Sequence, residues 1–336
     1  TQYECIPMPA GAEWSWIEAY GLMEADAQHV HGRDWMIARE EIESKLADVK
    51  RELPTREAFL RQIQDRKRAE ILHRGSGWGA LERMRGAKFP SGVPYDDSSL
   101  GADQSPWMHL LEKGILPETD PQQAPGAWMT DSSWRKLLDE SLSRIGGDHW
   151  LSRLHLGVMA YEAGDAPKAC EHWKASREAK ANPWALRNLA VAARHRGDAG
   201  AAAHLWREAF ELKRDLLPLA IECAEAILST GHANETLQFI RALPTKFRGY
   251  GRIRMIEARA AVAIEDLDCA EEILLGDLVV PDLREGEVGL SDNWYALQEK
   301  KLAKSRHVIV NEEIRRDVRK RFPPPKHLDF RMAANE

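Results

Sequence analysis

The feature of this sequence that most restricts its fold is a two-residue element that recurs every 33 or 34 residues. Its four copies are Gly164-Asp165, Gly197-Asp198, Gly231-His232 and Glu265-Asp266. Five positions after the first member of each copy stands a small residue, and four positions further on stands a large apolar one. The small residues are Ala169, Ala202, Thr236 and Ala270, and the large ones are Trp173, Trp206, Ile240 and Leu274. This period predicts stacked helix–turn–helix units, in which small residues let helices approach and large ones fill the gaps.

The sequence around the repeats divides into four segments. We expect an N-terminal helical unit at 1–72, an ordered Trp-, Gly- and Pro-rich loop at 73–130, helical repeats at 131–276, and cap helices with a tail at 277–336. The loop tryptophans Trp78, Trp107 and Trp128 are expected to be buried. The chain is therefore predicted to be all-α, and the repeats to form a solenoid. Apolar spacing and capping residues predict further helices over 14–30, 34–49, 55–72, 79–85, 105–113, 131–145, 291–305 and 309–321.

Composition narrows the classes of function. The 336 residues carry a net charge of −6, and none of their apolar runs is long enough to span a membrane. The chain does not open with a secretory signal, so we expect a cytoplasmic protein that binds no membrane. Its four cysteines form no C-x-x-C pair and are expected to be free thiols rather than zinc ligands. Because Thr1 is not an initiator Met, we also expect a fragment of a larger protein.

The charge is uneven along the chain. Residues 300–326 hold ten Lys and Arg against three Asp and Glu. The remaining residues therefore carry a net charge more negative than the −6 of the whole chain. A basic tail can bind nucleic acid or pair with acidic groups of its own chain. Charged and apolar residues alternate in this tail, which favours pairing within the chain, and no nucleic-acid partner is expected.

Two of the repeats resemble the tetratricopeptide repeat (TPR), a 34-residue helix pair. The first has Leu156-Gly157 with Ala169, Trp173 and Ser176, and the second has Leu189-Ala190 with Ala202, Trp206 and Ala209. Arg153 and Ala160 stand where the family has an early aromatic residue and a tyrosine. The resemblance implies a right-handed α-solenoid whose groove is lined by the first helix of each pair, and a role as a protein-interaction scaffold.

Polar residues on those first helices are the candidate partner-binding groups. They are Arg153, Arg187, Asn188, Arg194, Arg252 and Arg259. A groove rich in arginine suits a carboxylate or an acidic partner, because guanidinium binds carboxylate through two parallel hydrogen bonds. The alternative is that these arginines are simply solvated.

Two further motifs lie outside the repeats. Gly75, Ser76, Trp78 and Glu82 belong to a glycine-rich turn that either holds an anion on backbone N–H groups or docks Trp78 against a neighbouring domain. Arg284, Glu285, Glu287, Asp292 and Trp294 follow the last repeat. Paired carboxylates could hydrolyse a glycosidic bond across a cleft, whereas helix capping and an interface role are the alternative. We expect Trp78 and Trp294 to turn toward one shared surface.

Residues suited to catalysis or to metal binding are not arranged in a specific pattern. His29 and His31 stand near Glu24 and Asp34, but nothing in their spacing requires a metal, and neither a metal nor a cofactor is expected. The sequence shows no serine elbow and no cysteine with a placed histidine. Whether the chain acts as an enzyme is left open, with a non-enzymatic role favoured.

A second resemblance covers most of the chain. Glu18-Ala19-Tyr20, His31 to Trp35, Gly75 to Glu82, Trp184 to Leu189 and Arg284 to Trp294 resemble the C-terminal, TPR-like half of large bacterial proteins of unknown function. In those proteins a mutarotase-like β-rich domain comes first. This resemblance implies a second candidate function, half of a carbohydrate-active enzyme whose catalytic groups lie mainly in an N-terminal domain. The partner would then be another domain or a carbohydrate.

Overall fold

The chain is all-α throughout the part that the structure describes. A computed structural model describes residues 7–9, 11–12, 14, 16, 18, 20–64, 74–89, 93–284 and 286–331. Every regular element in these ranges is a helix, and none is a strand, which confirms the predicted fold class. Two compact units make up the chain: Thr1–Ser76 with Ala87–Ser99, and Gly77–Gly86 with Leu100–Glu336. The division into four segments predicted from the sequence stays a prediction.

Among its described residues, the first unit holds three α-helices, α1 (Ala27–Val30), α2 (Trp35–Glu52) and α3 (Arg56–Gln64), and a short 3-10 helix at Asp97–Ser99. The prediction of one helix over 14–30 is wrong, because its described residues before Ala27 are not helical. The helix begins only where the Asp26 side chain accepts a hydrogen bond from the Gln28 N–H. Apolar residues upstream are exposed, Leu22 completely, so their helical spacing meets no surface to pack against. Residues 65–73 of the third predicted helix lie outside the described residues.

The second unit contains the repeats, preceded by three helices and followed by two. The three are α4 (Gly77–Met84), α5 (Ser105–Lys113) and α6 (Ser132–Ser141). The repeats are α7 (Trp150–Glu162) with α8 (Ala166–Ala179), α9 (Pro183–His195) with α10 (Ala199–Leu212), α11 (Leu217–Ser229) with α12 (Ala233–Ala242), and α14 (Gly251–Ala263) with α15 (Leu267–Leu275). A short helix, α13 (Thr245–Arg248), precedes the last pair, and α16 (Gly289–Ser305) and α17 (Glu312–Arg321) follow it. The two helices of each pair pack on each other, and successive pairs contact one another through α8 and α9, α10 and α11, and α12 and α14, which is the packing of a TPR-like helical solenoid.

The recurring two-residue element makes the turn inside each pair. Its first residue has a left-handed backbone, with φ between 63° and 83° at Gly164, Gly197, Gly231 and Glu265. Glycine adopts this conformation without steric cost, which explains three of the four copies. The second residue caps the next helix, since the Asp165, Asp198 and Asp266 carboxylates accept from backbone N–H groups three residues on. His232 makes no such bond.

The predicted small and large positions form the core of the repeats. Ala169, Ala202, Thr236 and Ala270 are at most 2% exposed, and Trp173, Trp206, Ile240 and Leu274 at most 3%. Gly157 shows how close the first pair lies, because a Cβ there would come within 2.2 Å of Trp173 Nε1. Glycine at this position therefore lets Trp173 lie against α7.

Candidate functional site

A segment without helix, residues 115–130, joins α5 to α6 and lies along the first helices of the first two repeats. It is extended apart from a turn at 121–123 and a left-handed residue at Gly126. Side-chain N–H groups hold it by its backbone carbonyls. His149 Nε2 lies 2.9 Å from Leu116 O, Trp150 Nε1 donates to Thr119 O at 3.0 Å, and Trp184 Nε1 donates to Pro121 O at 2.9 Å. Trp150 and Trp184 stand at the start of successive repeats, and the carbonyls they bind are two residues apart. Two tryptophans at equivalent positions of successive repeats therefore bind nearby carbonyls of the same segment.

The second half of the segment is held in the same way. His155 Nε2 lies 3.1 Å from Pro125 O, and Trp107 Nε1 donates to Ala127 O at 3.2 Å. Because a carbonyl oxygen can only accept, His155 carries its proton on Nε2 in this arrangement. These two carbonyls are again two residues apart.

Beside this second half, α7 and α9 enclose a cavity of about 250 Å³. Its walls combine two tryptophans, two valines and four polar residues. The lining residues are Trp128, Val158, Tyr161, Glu162, Trp173, Arg187, Asn188 and Val191. Trp128 comes from the extended segment and is 45% exposed, contrary to the expectation that the loop tryptophans are buried, whereas Trp107 is 1% exposed as expected. Trp128 stays exposed because its ring covers His155 from the outside, with ring centroids 4.8 Å apart.

The polar groups of the cavity differ in how far they are engaged. Arg187 is bound through two bonds to Glu222 of α11, with Nε–Oε2 at 2.8 Å and Nη2–Oε1 at 2.5 Å. The Tyr161 hydroxyl bonds to His195 Nδ1 of α9. Asn188 is half-buried, and its side-chain amide makes no hydrogen bond to the described part of the chain. Glu162, at the exposed edge of the cavity, likewise makes no hydrogen bond or ion pair within the described chain. Asn188 thus offers the cavity a donor and an acceptor, and Glu162 offers a further acceptor.

His155 is the buried titratable group beneath Trp128. It is 2% exposed, between the rings of Trp107 and Trp128. Burial lowers its pKa to about 4, against the weaker opposing effect of the hydrogen bond to Pro125 O. Its Nδ1 has no hydrogen-bond partner in the described ranges.

Four of the six predicted groove residues are arginines held by carboxylates. Arg187 binds Glu222, and Arg259 of α14 binds Glu225 of α11, with Nη2–Oε2 at 2.6 Å. Arg153 binds Asp148 through two bonds of 2.7 and 2.6 Å. Arg252 Nε lies 3.1 Å from each Asp282 carboxylate oxygen, and its Nη2 lies 3.0 Å from Glu287 Oε2.

A fifth, Arg194, lies over the Trp206 ring at 5.0 Å. Arg187 and Arg259 each reach a glutamate on the neighbouring first helix, so successive repeats are linked across their first helices. The carboxylate-binding role predicted for these arginines stays a prediction, and four of them already hold carboxylates of the chain itself.

In the acidic cluster after the last repeat, Glu287 binds Arg252 instead of lining a cleft. The Arg252 guanidinium lowers the pKa of Glu287, whereas a general acid needs a raised one. The Arg284 backbone N–H also donates to Glu287 Oε2, at 3.4 Å. Glu285 lies outside the described residues. Asp292 is exposed in the first turn of α16.

The two tryptophans predicted to share a surface belong to different hydrophobic clusters. Trp78 is half-buried against the cluster around Leu81 and Trp107. Trp294 is 9% exposed, packs in the cluster of α15 to α17, and donates to Phe322 O at 3.0 Å. The expectation of one shared surface stays a prediction; in the described chain each ring packs against the hydrophobic cluster nearest to it along the sequence.

The glycine-rich turn contains the boundary between the two units. Gly75 and Ser76 belong to the first unit, and Trp78 and Glu82 belong to the second. In the first unit, Gly75 has φ +82°, and a Cβ there would meet the Tyr95 ring at 2.6 Å. Ser76, beside it, also has an interaction within the described chain. In the second unit, Glu82 accepts from Trp134 Nε1 at 2.5 Å and from Arg85 Nε at 2.9 Å. The anion-binding role of this turn stays a prediction.

Among the described residues, His, Cys, Asp and Glu form no group of three or more that could hold a metal ion. Within the same ranges, helices that combine the length and apolarity needed to cross a membrane are absent.

Sequence reasoning found Arg187 and Asn188 but missed the rest of the cavity. Trp128, Tyr161 and Val191 lie up to 63 positions apart in the chain. The available signal was the pair Trp150 and Trp184, one repeat apart, since two indole N–H groups at equivalent positions require two acceptors. Those acceptors are carbonyls of a segment that carries no repeat pattern.

Comparisons with known proteins show similarity to solved structures but not to family models or curated sequences. No protein-family model matches the chain, and no curated protein matches its sequence. Seven chains among the solved structures match, one of them from the functional characterization of pilF of Pseudomonas aeruginosa. That chain is 12% identical, with a TM-score of 0.41, and the match covers 58% of this chain and 86% of that one. The TPR-like fold of this chain rests instead on the packing of its own helices.

Proposed function

We propose that the chain is a protein-interaction scaffold and that the cavity between α7 and α9 binds a segment of a partner protein. The observation that carries this proposal is the combination of an apolar wall with the unengaged amide of Asn188. Val158, Val191 and Trp128 surround an apolar side chain, while the Asn188 amide offers the acceptor and donors that a peptide backbone requires.

The size of the cavity supports a side chain rather than a free small molecule. At about 250 Å³ it lies below the range of roughly 300–1,000 Å³ that is usual for small-molecule sites. An apolar anchor in such a pocket can dominate a protein interface, at about 2 kcal/mol or more when it is removed.

Charge argues for an apolar anchor over an acidic one. Arg187, the cavity's own arginine, is bound to Glu222 through two bonds. An incoming carboxylate would have to displace Glu222 from Arg187 and leave it with the Trp206 indole N–H as its remaining described partner, at a cost close to what the new pair would contribute. We therefore assign Arg187 to shaping the cavity and Asn188 to binding.

The carbohydrate-active alternative remains a second proposal, favoured by Trp128. Its ring is 45% exposed beside Asn188 and Glu162, and an aromatic face next to planar polar groups can also stack on a sugar ring. In this proposal the chain belongs to a longer protein, and catalysis depends on residues beyond those described.

Selection of peptides from a random phage-displayed library on the full chain tests the first proposal. Val191→Trp fills the cavity, and Val308→Trp, at a 46% exposed position away from it, is the matched control. We expect selected peptides to share an apolar anchor and to bind Val191→Trp at least about tenfold more weakly than wild type or Val308→Trp. Equal binding to all three would overturn the proposal. Glycan-array binding that is lost in Trp128→Ala would support the second proposal instead.

A further inference from the structure

The face that borders the cavity already binds an extended polypeptide, the chain's own residues 115–130. The five donors that hold this segment bind only backbone carbonyls. In each half two of those carbonyls are two residues apart, 119 with 121 and 125 with 127. Backbone carbonyls are common to all polypeptides, so these five bonds do not depend on the side chains of the bound segment. Leu116, Glu118 and Gln122 add side-chain contacts, with the core cluster, Lys180 Nζ and Leu212 O respectively.

The two halves of the segment differ in how firmly they are held. In the first half, Leu116 is 1% exposed and Pro121 is buried. In the second half, residues 122–124 are exposed, and Trp128 is 45% exposed with an indole N–H that bonds to nothing in the described part of the chain. Gly126, with φ +84° and open space where a Cβ would be, joins the two donor-bound carbonyls. The second half is therefore the more exposed part, although Met129 packs against the core cluster. If it leaves, Trp107 and His155 are uncovered, and a replacing segment has to cover them again.

A polar atom lies beneath the second half. His155 is 2% exposed under the Trp128 ring, and its Nδ1 has no hydrogen-bond partner among the described residues. An unsatisfied buried nitrogen is costly, and it gains a partner if a different segment with a suitable donor lies over it.

We propose that residues 124–130, called the strap from here on, are a built-in occupant of the α7 and α9 face, which a partner segment replaces. The partner is an extended polypeptide that offers carbonyls to His155 Nε2 and Trp107 Nε1 and places an apolar side chain in the cavity. This inference rests on the proposed function, since it concerns the same cavity. The strap regulates access to that cavity because Trp128 forms one of its walls.

The strap can be tested with a probe of its own sequence. The probe is a fluorescein-labelled synthetic peptide with the sequence of residues 121–131, and its binding to the full chain is followed by fluorescence anisotropy. Trp128→Ala loosens the strap while both donors stay in place. Trp14→Ala removes a tryptophan with the same 45% exposure in the first unit and is the matched control.

We expect Trp128→Ala to bind the probe at least about tenfold more tightly than wild type or Trp14→Ala, with a similar melting temperature. The gain should disappear in the double variant Trp128→Ala/His155→Phe and with a probe whose tryptophan is replaced by alanine. Equal binding of the probe to wild type, Trp128→Ala and Trp14→Ala would overturn the proposed role of the strap. A cooperative loss of structure in Trp128→Ala would overturn it as well.

The two proposals fail in different ways. If library-selected peptides bind wild type and Trp128→Ala equally well, the cavity is a binding site and the strap is wrong. If the library yields no cavity-dependent peptide while the probe binds Trp128→Ala tightly, the strap is right and the proposed partner function is wrong.

Discussion

The first helices of the early repeats differ from those of the late repeats in what covers them. On α7 and α9, an extended segment lies across the face and leaves a cavity with an available asparagine. On α11 and α14, Arg259 binds Glu225, and Arg252 binds Asp282 and Glu287. Ion pairs occur at both ends, since Arg153 of α7 and Arg187 of α9 also bind carboxylates, but the early repeats carry in addition a covering segment and a candidate binding site. The difference comes from the segment 115–130, which no repeat encodes.

The largest expected effect separates core tryptophans from the one at the site. Trp206 is 1% exposed and also donates to Glu222 at 3.1 Å, so Trp206→Ala should lower the free energy of unfolding by about 3–5 kcal/mol. Trp128→Ala should cost less than about 1 kcal/mol, because 45% of that side chain is already exposed. Urea unfolding of both variants measures this. Equal losses would mean that Trp128 belongs to the core and would erase the contrast between the two ends.

The second expected effect is a pH dependence that belongs to the early repeats. In the folded chain the pKa of His155 is about 4, against 6.5 for the ordinary group, so the unfolded chain binds a proton first as pH falls. The free energy of unfolding should therefore fall between pH 6.5 and 4, by up to about 3 kcal/mol from this group alone.

Denaturation of wild type and His155→Gln across this pH range isolates the contribution of His155. The groups that face it are the rings of Trp107 and Trp128, the Pro125 carbonyl and His149. Burial also lowers the pKa of His172, and that contribution is common to both proteins and cancels in the difference. A difference that does not change with pH would show that His155 is not buried as described.

A third prediction tests the close packing of the first helix pair. Gly157→Ala would place a Cβ 2.2 Å from Trp173 Nε1, so Trp173 or α7 must shift, and the free energy of unfolding should fall by about 1–3 kcal/mol. Gly200→Ala on α10 is the control, since its Cβ meets only Asp198 Oδ1, at 3.8 Å, and the change should be neutral or stabilising by up to about 1 kcal/mol. Thermal unfolding of both variants measures the two changes. A Gly157→Ala variant as stable as wild type would contradict the described packing.

The smallest expected effect concerns the ion pairs of the late repeats. The Arg259 and Glu225 side chains are 41% and 40% exposed, so a double-mutant cycle with Arg259→Gln and Glu225→Gln should give a coupling of less than about 1 kcal/mol that shrinks with salt. A coupling well above this value, or one insensitive to salt, would mean that the pairs hold the late repeats together. With the expected small value, the pairs set how neighbouring helices are arranged and add little stability.

Local patterns predicted the repeats well because each pattern acts within one turn or one helix pair. The left-handed residue and the capping aspartate of each pair lie next to each other in the chain, as at Gly164 and Asp165. The predicted helices at 79–85 and 105–113 correspond to α4 and α5. The helix predicted over 14–30 is wrong, since its apolar spacing finds no surface to pack on, as the exposed Leu22 shows.

The candidate site was less predictable because its parts depend on distant pairings. Arg187 was predicted to face a partner, a role that stays a prediction, and nothing in the local sequence indicates that Glu222, 35 residues away, binds it. Trp128 was expected to be buried, and it stands at the surface because His155 and Trp107 hold the backbone on either side of it.

The sequence by itself determined the all-α fold, the repeat period, the turns and the core positions, because these depend on backbone conformation and on residues at most a few turns apart. Tertiary structure alone decided which arginines are neutralised, where Trp128 lies, and that α7 and α9 enclose a cavity of about 250 Å³. The physical reason is that indole, imidazole and guanidinium groups can bind any acceptor within reach. Only the packing of the helices determines which acceptor that is.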